Sequence, residues 1–360
     1  MSKLTLRSLT ARQVNVEMSR PLLTSSGVIC TCPLVLVELQ TEEGIVGRSY
    51  VFCYTPMALA PVAHLIRSME ANLRGDGVAP VAIEQKLQRQ FRLLGPQGLT
   101  GMAMAGIDMA AWDALAKAAD LPLVRLLGGE PRPISAYDSL GMNGLEAGVT
   151  QAAQSMAAGF KALKVKIGYP DLRTDLEVIR AIRGVIGGEA HLMVDYNQSL
   201  SVPEAIHRIR ALDDEGLAWI EEPTLHDDFA GHARIAREAR TGIQLGENWW
   251  GPHDLAKSIA AGASDYAMPD VMKIGGVTGW LRMAALTEAA GLPVSSHIFP
   301  EFSAHLLAVT PTCHWLEYMD LANPILENPI RIEGGLAHIP EVPGAGVEWN
   351  EAAVKRFLVE

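Results

Sequence analysis

Residues 162–170 read ALKVKIGYP, a short apolar run that carries two lysines, Lys164 and Lys166, one residue apart. On a β-strand positions i and i+2 point to the same face, so this run aims two ammonium groups side by side into a buried layer. The amphipathic stretch DLRTDLEVIRAIRGVIG follows it directly, which makes a strand-then-helix unit. The same unit recurs outward in both directions. Strand candidates lie at 134–138, 162–167, 191–195, 217–221, 243–247, 265–269, 293–297 and 313–317, with helical patterns such as VPEAIHRIRALDDEG between them. Eight strands in this rhythm predict a (β/α)8 barrel, whereas six would predict a doubly wound sheet.

The barrel rhythm fills residues 131–325. Ahead of it, residues 1–130 read as an α+β domain. PLVLVELQTEEGIVGRSYVF is a hairpin turning at Glu43–Gly44, and the Ala- and Met-rich run 99–119 is a buried helix. Behind it, residues 326–360 form a Gly- and Pro-rich tail expected to pack back on the first domain. The chain is therefore read as α/β, a modified (β/α)8 TIM barrel with an α+β N-terminal capping domain.

Composition narrows the function classes. A net charge of −11 argues against nucleic acid as a partner. No apolar run approaches the ~18 residues of a membrane span, and the opening MSKLTLRSLTARQVN lacks the apolar core of a signal peptide. The expected compartment is the cytoplasm. The four cysteines, Cys30, Cys32, Cys53 and Cys313, fit reduced thiols used as small apolar residues.

The chemistry lies at the strand ends. Strands three, four and five end in Asp195, Glu221 and Glu247, at intervals of 26 and 26 residues. Asp270 follows strand six, His297 ends strand seven and Glu317 ends strand eight. In a parallel barrel these ends converge on one mouth, where the active sites of this fold lie. Three adjacent carboxylates repel one another unless a cation neutralises them, and an all-oxygen set suits Mg²⁺. Glu222 alternates away from the mouth, so it is read as a turn or capping residue. Burial, a like-charged neighbour and a divalent cation all lower a lysine's pKa. One of Lys164 and Lys166 is thus expected as a base near neutral pH, the other as the holder of an anionic group. Asp270 is positioned to orient the His297 imidazole.

The segments KVKIGYP, MVDYNQS, WIEEPT, GENWWGP, MPDVMKIGGVTGW, SSHIFPE and GIDMAAWDALAKA together resemble the enolase superfamily, and within it the mandelate racemase subgroup. The likeness runs over essentially the whole chain. It implies Mg²⁺ on Asp195, Glu221 and Glu247, with Lys166 and His297 as opposed bases and Asp270 behind His297. It further implies that Lys164 and a protonated Glu317 contact the substrate carboxylate and Asn197 the α-hydroxyl, with Ser139 beside them. The implied substrate is a small 2-hydroxy carboxylate, and the implied assembly is a homo-oligomer, an octamer.

The pocket is expected from the flap at 20–33, through Leu22, Leu23 and Ile29, from Phe52 and Tyr54, and from Ile298 and Met319 of the barrel. Such a lining suits an aryl or bulky alkyl 2-hydroxy acid, because polyhydroxylated acids leave unpaired hydroxyls costing ~1–3 kcal/mol each. Racemisation is the expected outcome. An acid-sugar dehydratase is the alternative and requires Arg20 or Arg48 at the pocket. A second alternative uses Lys273 as the opposing base, and a third is a non-catalytic barrel.

Overall fold

The computed structural model describes residues 4–25 and 27–359. Ser26, at the tip of the expected flap, lies outside the described residues. The chain opens with a three-stranded antiparallel sheet in the order β1 (Leu6–Thr24), β2 (Gly27–Thr41), β3 (Val46–Phe52). The β2–β3 turn falls at the expected place, where Thr41 and Ile45 bond back to back across Glu43–Gly44. The far end of the β1–β2 hairpin reaches beyond the sheet as the flap. Its register shifts between Glu17 and Leu22, next to Pro21, which has no N–H for the ladder. Helix Gly98–Ala118 packs on β3, and it is buried on nearly every side, as a helix apolar all round must be. Its contact with the sheet needs Gly47: a Cβ there would stand 1.9 Å from the Ala110 carbonyl oxygen.

Seven parallel strands follow: β4 (Ile134–Leu140), β5 (Ala162–Lys166), β6 (His191–Asp195), β7 (Ile220–Glu221), β8 (Ile243–Leu245), β9 (Tyr266–Ala267) and β10 (Leu316–Tyr318). Each of β4 to β8 pairs in parallel with the next, and β10 pairs in parallel with β4 on the other side. The expected seventh strand, 293–297, is the eighth stave, but it pairs only through single bridges, Ala267–Val294, Asp270–His297 and Val294–Cys313. Pro269 and Pro293 cannot donate to a ladder here, which is why a continuous strand gives way to isolated bridges. Asp171, Ser201 and Asp228 cap the helices after β5, β6 and β7 with their side chains.

Tyr137, Ala162, Met193 and Trp219 fill the lower interior of the barrel. The tail divides its contacts. The hairpin β11 (Arg331–Glu333) and β12 (Leu336–His338) adds antiparallel to β4 of the barrel. The rest returns to the first domain, where Glu351 meets Arg12 at 2.6 Å and Glu348 meets Arg48 at 2.5 Å. Among the described residues no helix is long and apolar enough to cross a membrane.

Candidate active site

Strand register builds the centre. Lys166, Asp195 and Glu221 are direct neighbours across β5, β6 and β7, so their side chains stand in one row at the C-terminal mouth. Glu247 joins them from the loop after β8, because Gly246 turns the chain at φ +142, where a Cβ would come within 2.7 Å of Met268 backbone. Ligand oxygens of Asp195, Glu221 and Glu247 all lie within 4.8 Å of one another, and all three residues are buried.

Around them the buried charges do not balance. Six carboxylates (Asp195, Glu221, Glu222, Glu247, Asp270 and Glu317) face three lysines (Lys164, Lys166 and Lys273) and one histidine, His297. With every group ionised, six against four would leave two negative charges, the excess that a divalent cation would match. Burial, and then this excess, lifts Glu221 and Glu222. Glu247 Oε2 and Asn197 Oδ1 are buried without a hydrogen-bond donor. Oxygen donors with free lone pairs are what a hard divalent cation takes, so the residues present fit Mg²⁺.

The lysines are engaged by the carboxylates around them. Lys164 Nζ lies 2.6 Å from Glu221 and 2.8 Å from Glu317, and Lys166 Nζ lies 2.5 Å from Asp195. Burial pulls both pKa values down as expected, but these carboxylates outweigh it and both are raised. A cation on the carboxylates would compete for the same charge and reverse that balance, most directly at Lys166. At Glu317, burial pushes the carboxyl up, but Lys164 and His297 pull it below its ordinary value. One expectation is corrected, at Glu222. Glu222 does not point away, because its φ of +36 breaks strand alternation and leaves it buried, accepting from Asn248 Nδ2 at 2.9 Å. Burial and the Glu247 charge raise Glu222 well above the carboxylate range, and burial lifts Glu221 to about 8.

On the other wall, His297 Nδ1 donates to Asp270 Oδ2 at 2.7 Å, and its Nε2 stands 3.3 Å from Glu247. Burial alone would lower the imidazole, but Glu247 and Asp270 raise it above 6.5. Glu247 itself is lifted by burial and drawn down to about 2 by His297 and the lysines.

A cavity of about 270 Å³ opens above these groups. Of the expected residues it gathers Lys166, Asn197, His297, Glu317, Leu22, Ile29, Phe52, Tyr54, Ile298 and Met319. Lys164 lies beneath its floor, fully buried. Ser139 is displaced: it lines a small side cavity with Arg20 and Gly141, because β4 brings it under the flap at Leu22. Arg20 is bound to Asp138 through both nitrogens, and Arg48 to Glu38 and Glu348, so neither reaches the main cavity. Met18, Thr24, Gln198, Asn248 and Leu321 line it unforeseen. Gln198 and Asn248 each follow a recognised site residue, which was their only signal in the sequence.

Comparison with known proteins joins both parts of the chain to one group. Residues 7–128 match the mandelate racemase / muconate lactonizing enzyme N-terminal domain, and residues 148–353 match the enolase C-terminal domain-like family. The chain belongs to the enolase superfamily. A crystal structure of an enolase from Bradyrhizobium, complexed with magnesium and mandelic acid, is 46% identical, with a TM-score of 0.96 and 100% of each chain covered. A 3,6-anhydro-alpha-L-galactonate cycloisomerase of Streptomyces coelicolor is 32% identical over 92% of this chain and 93% of its own. An L-talarate/galactarate dehydratase of Salmonella typhimurium is 29% identical over 89% of this chain and 81% of its own. As a superfamily member with its acidic triad intact, this protein is a Mg²⁺-dependent enzyme of proton abstraction.

Proposed function

We propose that the protein racemises an aryl or bulky apolar 2-hydroxy carboxylate by two-base proton transfer at the α-carbon. The observation that carries this reading is the cavity: two basic side chains, Lys166 and His297, share one chamber whose polar groups (Thr24, Asn197, Gln198, Glu247, Asn248 and Glu317) stand beside an apolar wall of Met18, Leu22, Ile29, Phe52, Tyr54, Ile298, Met319 and Leu321. Lys164 and Glu317 bind the substrate carboxylate, and Asn197 the α-hydroxyl. Lys166 removes the proton from one face and His297, oriented by Asp270, returns one to the other. Bound Mg²⁺, held by Asp195, Glu221 and Glu247, supplies positive charge that stabilises the enolate form of the carboxylate. The apolar walls keep water from the α-carbon. The mandelic acid held by the Bradyrhizobium relative, an aryl 2-hydroxy acid, supports this substrate class.

Acid-sugar dehydration is the second reading, favoured by the dehydratases and cycloisomerases among the relatives. The lining speaks against it, since Arg20 and Arg48 are engaged elsewhere. Residues 1–130 as cap, 131–325 as barrel and 326–360 as returning tail belong to the same proposal, as does a homo-oligomeric assembly. The test is incubation with a panel of aryl 2-hydroxy acids and sugar acids in D₂O with Mg²⁺. Deuterium at the α-carbon with inversion of the aryl acids is the expected result. Dehydrated 2-keto products from sugar acids, with the aryl acids untouched, would overturn it.

A further inference from the structure

One buried lysine beside the site has no role in the proton transfer proposed above. Lys273, on the loop after β9, is 7% exposed, yet its Nζ donates to Asn248 Oδ1 at 2.6 Å and sits 4.5 Å over the Tyr54 ring. Asn248 passes the contact on, its Nδ2 donating to both Glu222 oxygens at 2.9 Å and to Glu247 Oε1 at 3.2 Å. The Lys273 backbone N–H donates to Asp270 Oδ1 at 3.1 Å, and the other oxygen of that carboxylate accepts the hydrogen bond from His297 Nδ1. His297 Nε2 stands 3.3 Å from Glu247. The contacts close a ring through His297, Asp270, Lys273, Asn248 and Glu247.

The chemistry of the ring fixes the sense of one amide. An ammonium has three donors and no acceptor, while an ionised carboxylate such as Glu247, lifted by burial but drawn down by His297 and the lysines, only accepts. Asn248 can satisfy both sides only with its oxygen toward Lys273 and its nitrogen toward Glu222 and Glu247. A flipped amide would face N–H against ammonium and oxygen against carboxylate, all of it buried. Tyr54 lies on the capping domain and lines the cavity, so cap and metal carboxylates share this one cation. We propose that Lys273 is a positioning residue for the metal cradle, locking the Asn248 amide that aligns Glu247 and Glu222 and tying that alignment, through Tyr54, to the seating of the cap. The proposal rests on the metal assignment of Asp195, Glu221 and Glu247, not on the choice of substrate.

The test is titration calorimetry of Mg²⁺ into the substrate-free protein, beside thermal unfolding of the metal-free form. Loss of a partner that orients a metal ligand typically costs about 10–100-fold in affinity, and Lys273→Met should fall in that range. Lys273→Arg, which keeps charge and donors, should recover most of the loss. Tyr54→Leu should weaken Mg²⁺ less on its own and add nothing in the Lys273→Met background. If Lys273→Met does not fold, Lys273→Gln carries the same expectation. A lysine that merely stabilised the fold would lower the unfolding temperature and leave Mg²⁺ affinity at the wild-type value, and that result overturns the proposal. Additive effects of Lys273→Met and Tyr54→Leu would overturn the link to the cap. A wild-type protein that bound no Mg²⁺ would instead overturn the metal assignment beneath it.

Discussion

The mouth of the barrel and the cap above it enclose the same cavity with opposite chemistries. The mouth contributes charges, several of them fixed by strand register, as Lys166, Asp195 and Glu221 are across β5, β6 and β7. The cap contributes Met18, Leu22, Ile29, Phe52 and Tyr54, most of them from the end of one long hairpin. That hairpin end is tied to the barrel by Arg20 on Asp138, by the Ser19 hydroxyl on Asp320 at 3.4 Å and by the Leu23 carbonyl on the Met142 N–H at 2.8 Å. Chemistry is thus built where position is most constrained. Substrate choice is built where the chain can change without disturbing the barrel.

This division is most easily broken at the mouth. Glu247→Gln, or excess chelator on the wild type, should abolish turnover of every substrate, with Mg²⁺ binding lost and the thermal transition retained. Full activity in chelator would remove the mouth from the chemistry altogether. At the cap the effect should be smaller and selective. Ile29→Ala should cost about 10-fold in kcat/KM for a phenyl-bearing acid, mainly through KM, since a few methylenes in an apolar pocket are worth ~1–3 kcal/mol. Small 2-hydroxy acids should be affected less. An equal loss in kcat for all substrates would erase the distinction between the two regions.

The smallest effect on turnover is expected at the seam between them. His305, on helix Pro300–Ala308, is buried and accepts the Val124 N–H on Nδ1 at 3.1 Å. Burial holds it near 4, below the ordinary 6.5. A depressed folded-state value means that its contribution is whole above pH 6.5 and is lost as pH falls toward 4. At most about 3 kcal/mol is involved at one pKa unit per 1.36 kcal/mol. Denaturant unfolding at pH 7 and pH 5 should show wild type losing stability on acidification and His305→Gln losing less. Parallel losses in the two proteins would contradict this.

The two regions were also unequally legible in the sequence. The strand 191–195 falls where its apolar run predicts, and alternation places Lys164, Lys166 and Asp195 on the inner face. What alternation cannot reveal is which charge lies opposite. The pairing of each lysine was therefore not foreseen, although Asp195 and Glu221 stand within 2.6 Å of them. Glu222 was misread for a local reason: a positive φ breaks the period of two at that one residue. In the cap, the Arg20–Asp138 pair joins positions 118 residues apart, and no spacing rule in a single sequence announces it. Ser139 was misplaced by the same blindness, since the flap above it decides which cavity it faces.

The central claim is that two bases serve opposite faces of one α-carbon. It is tested most directly by His297→Asn in D₂O with Mg²⁺, each enantiomer of an aryl 2-hydroxy acid being followed separately by NMR. Loss of one general base typically costs ~10²–10⁴-fold. The account predicts no racemisation, but continued α-deuterium exchange of the single enantiomer whose proton faces Lys166. Loss of exchange in both enantiomers, with Mg²⁺ binding intact, would contradict it.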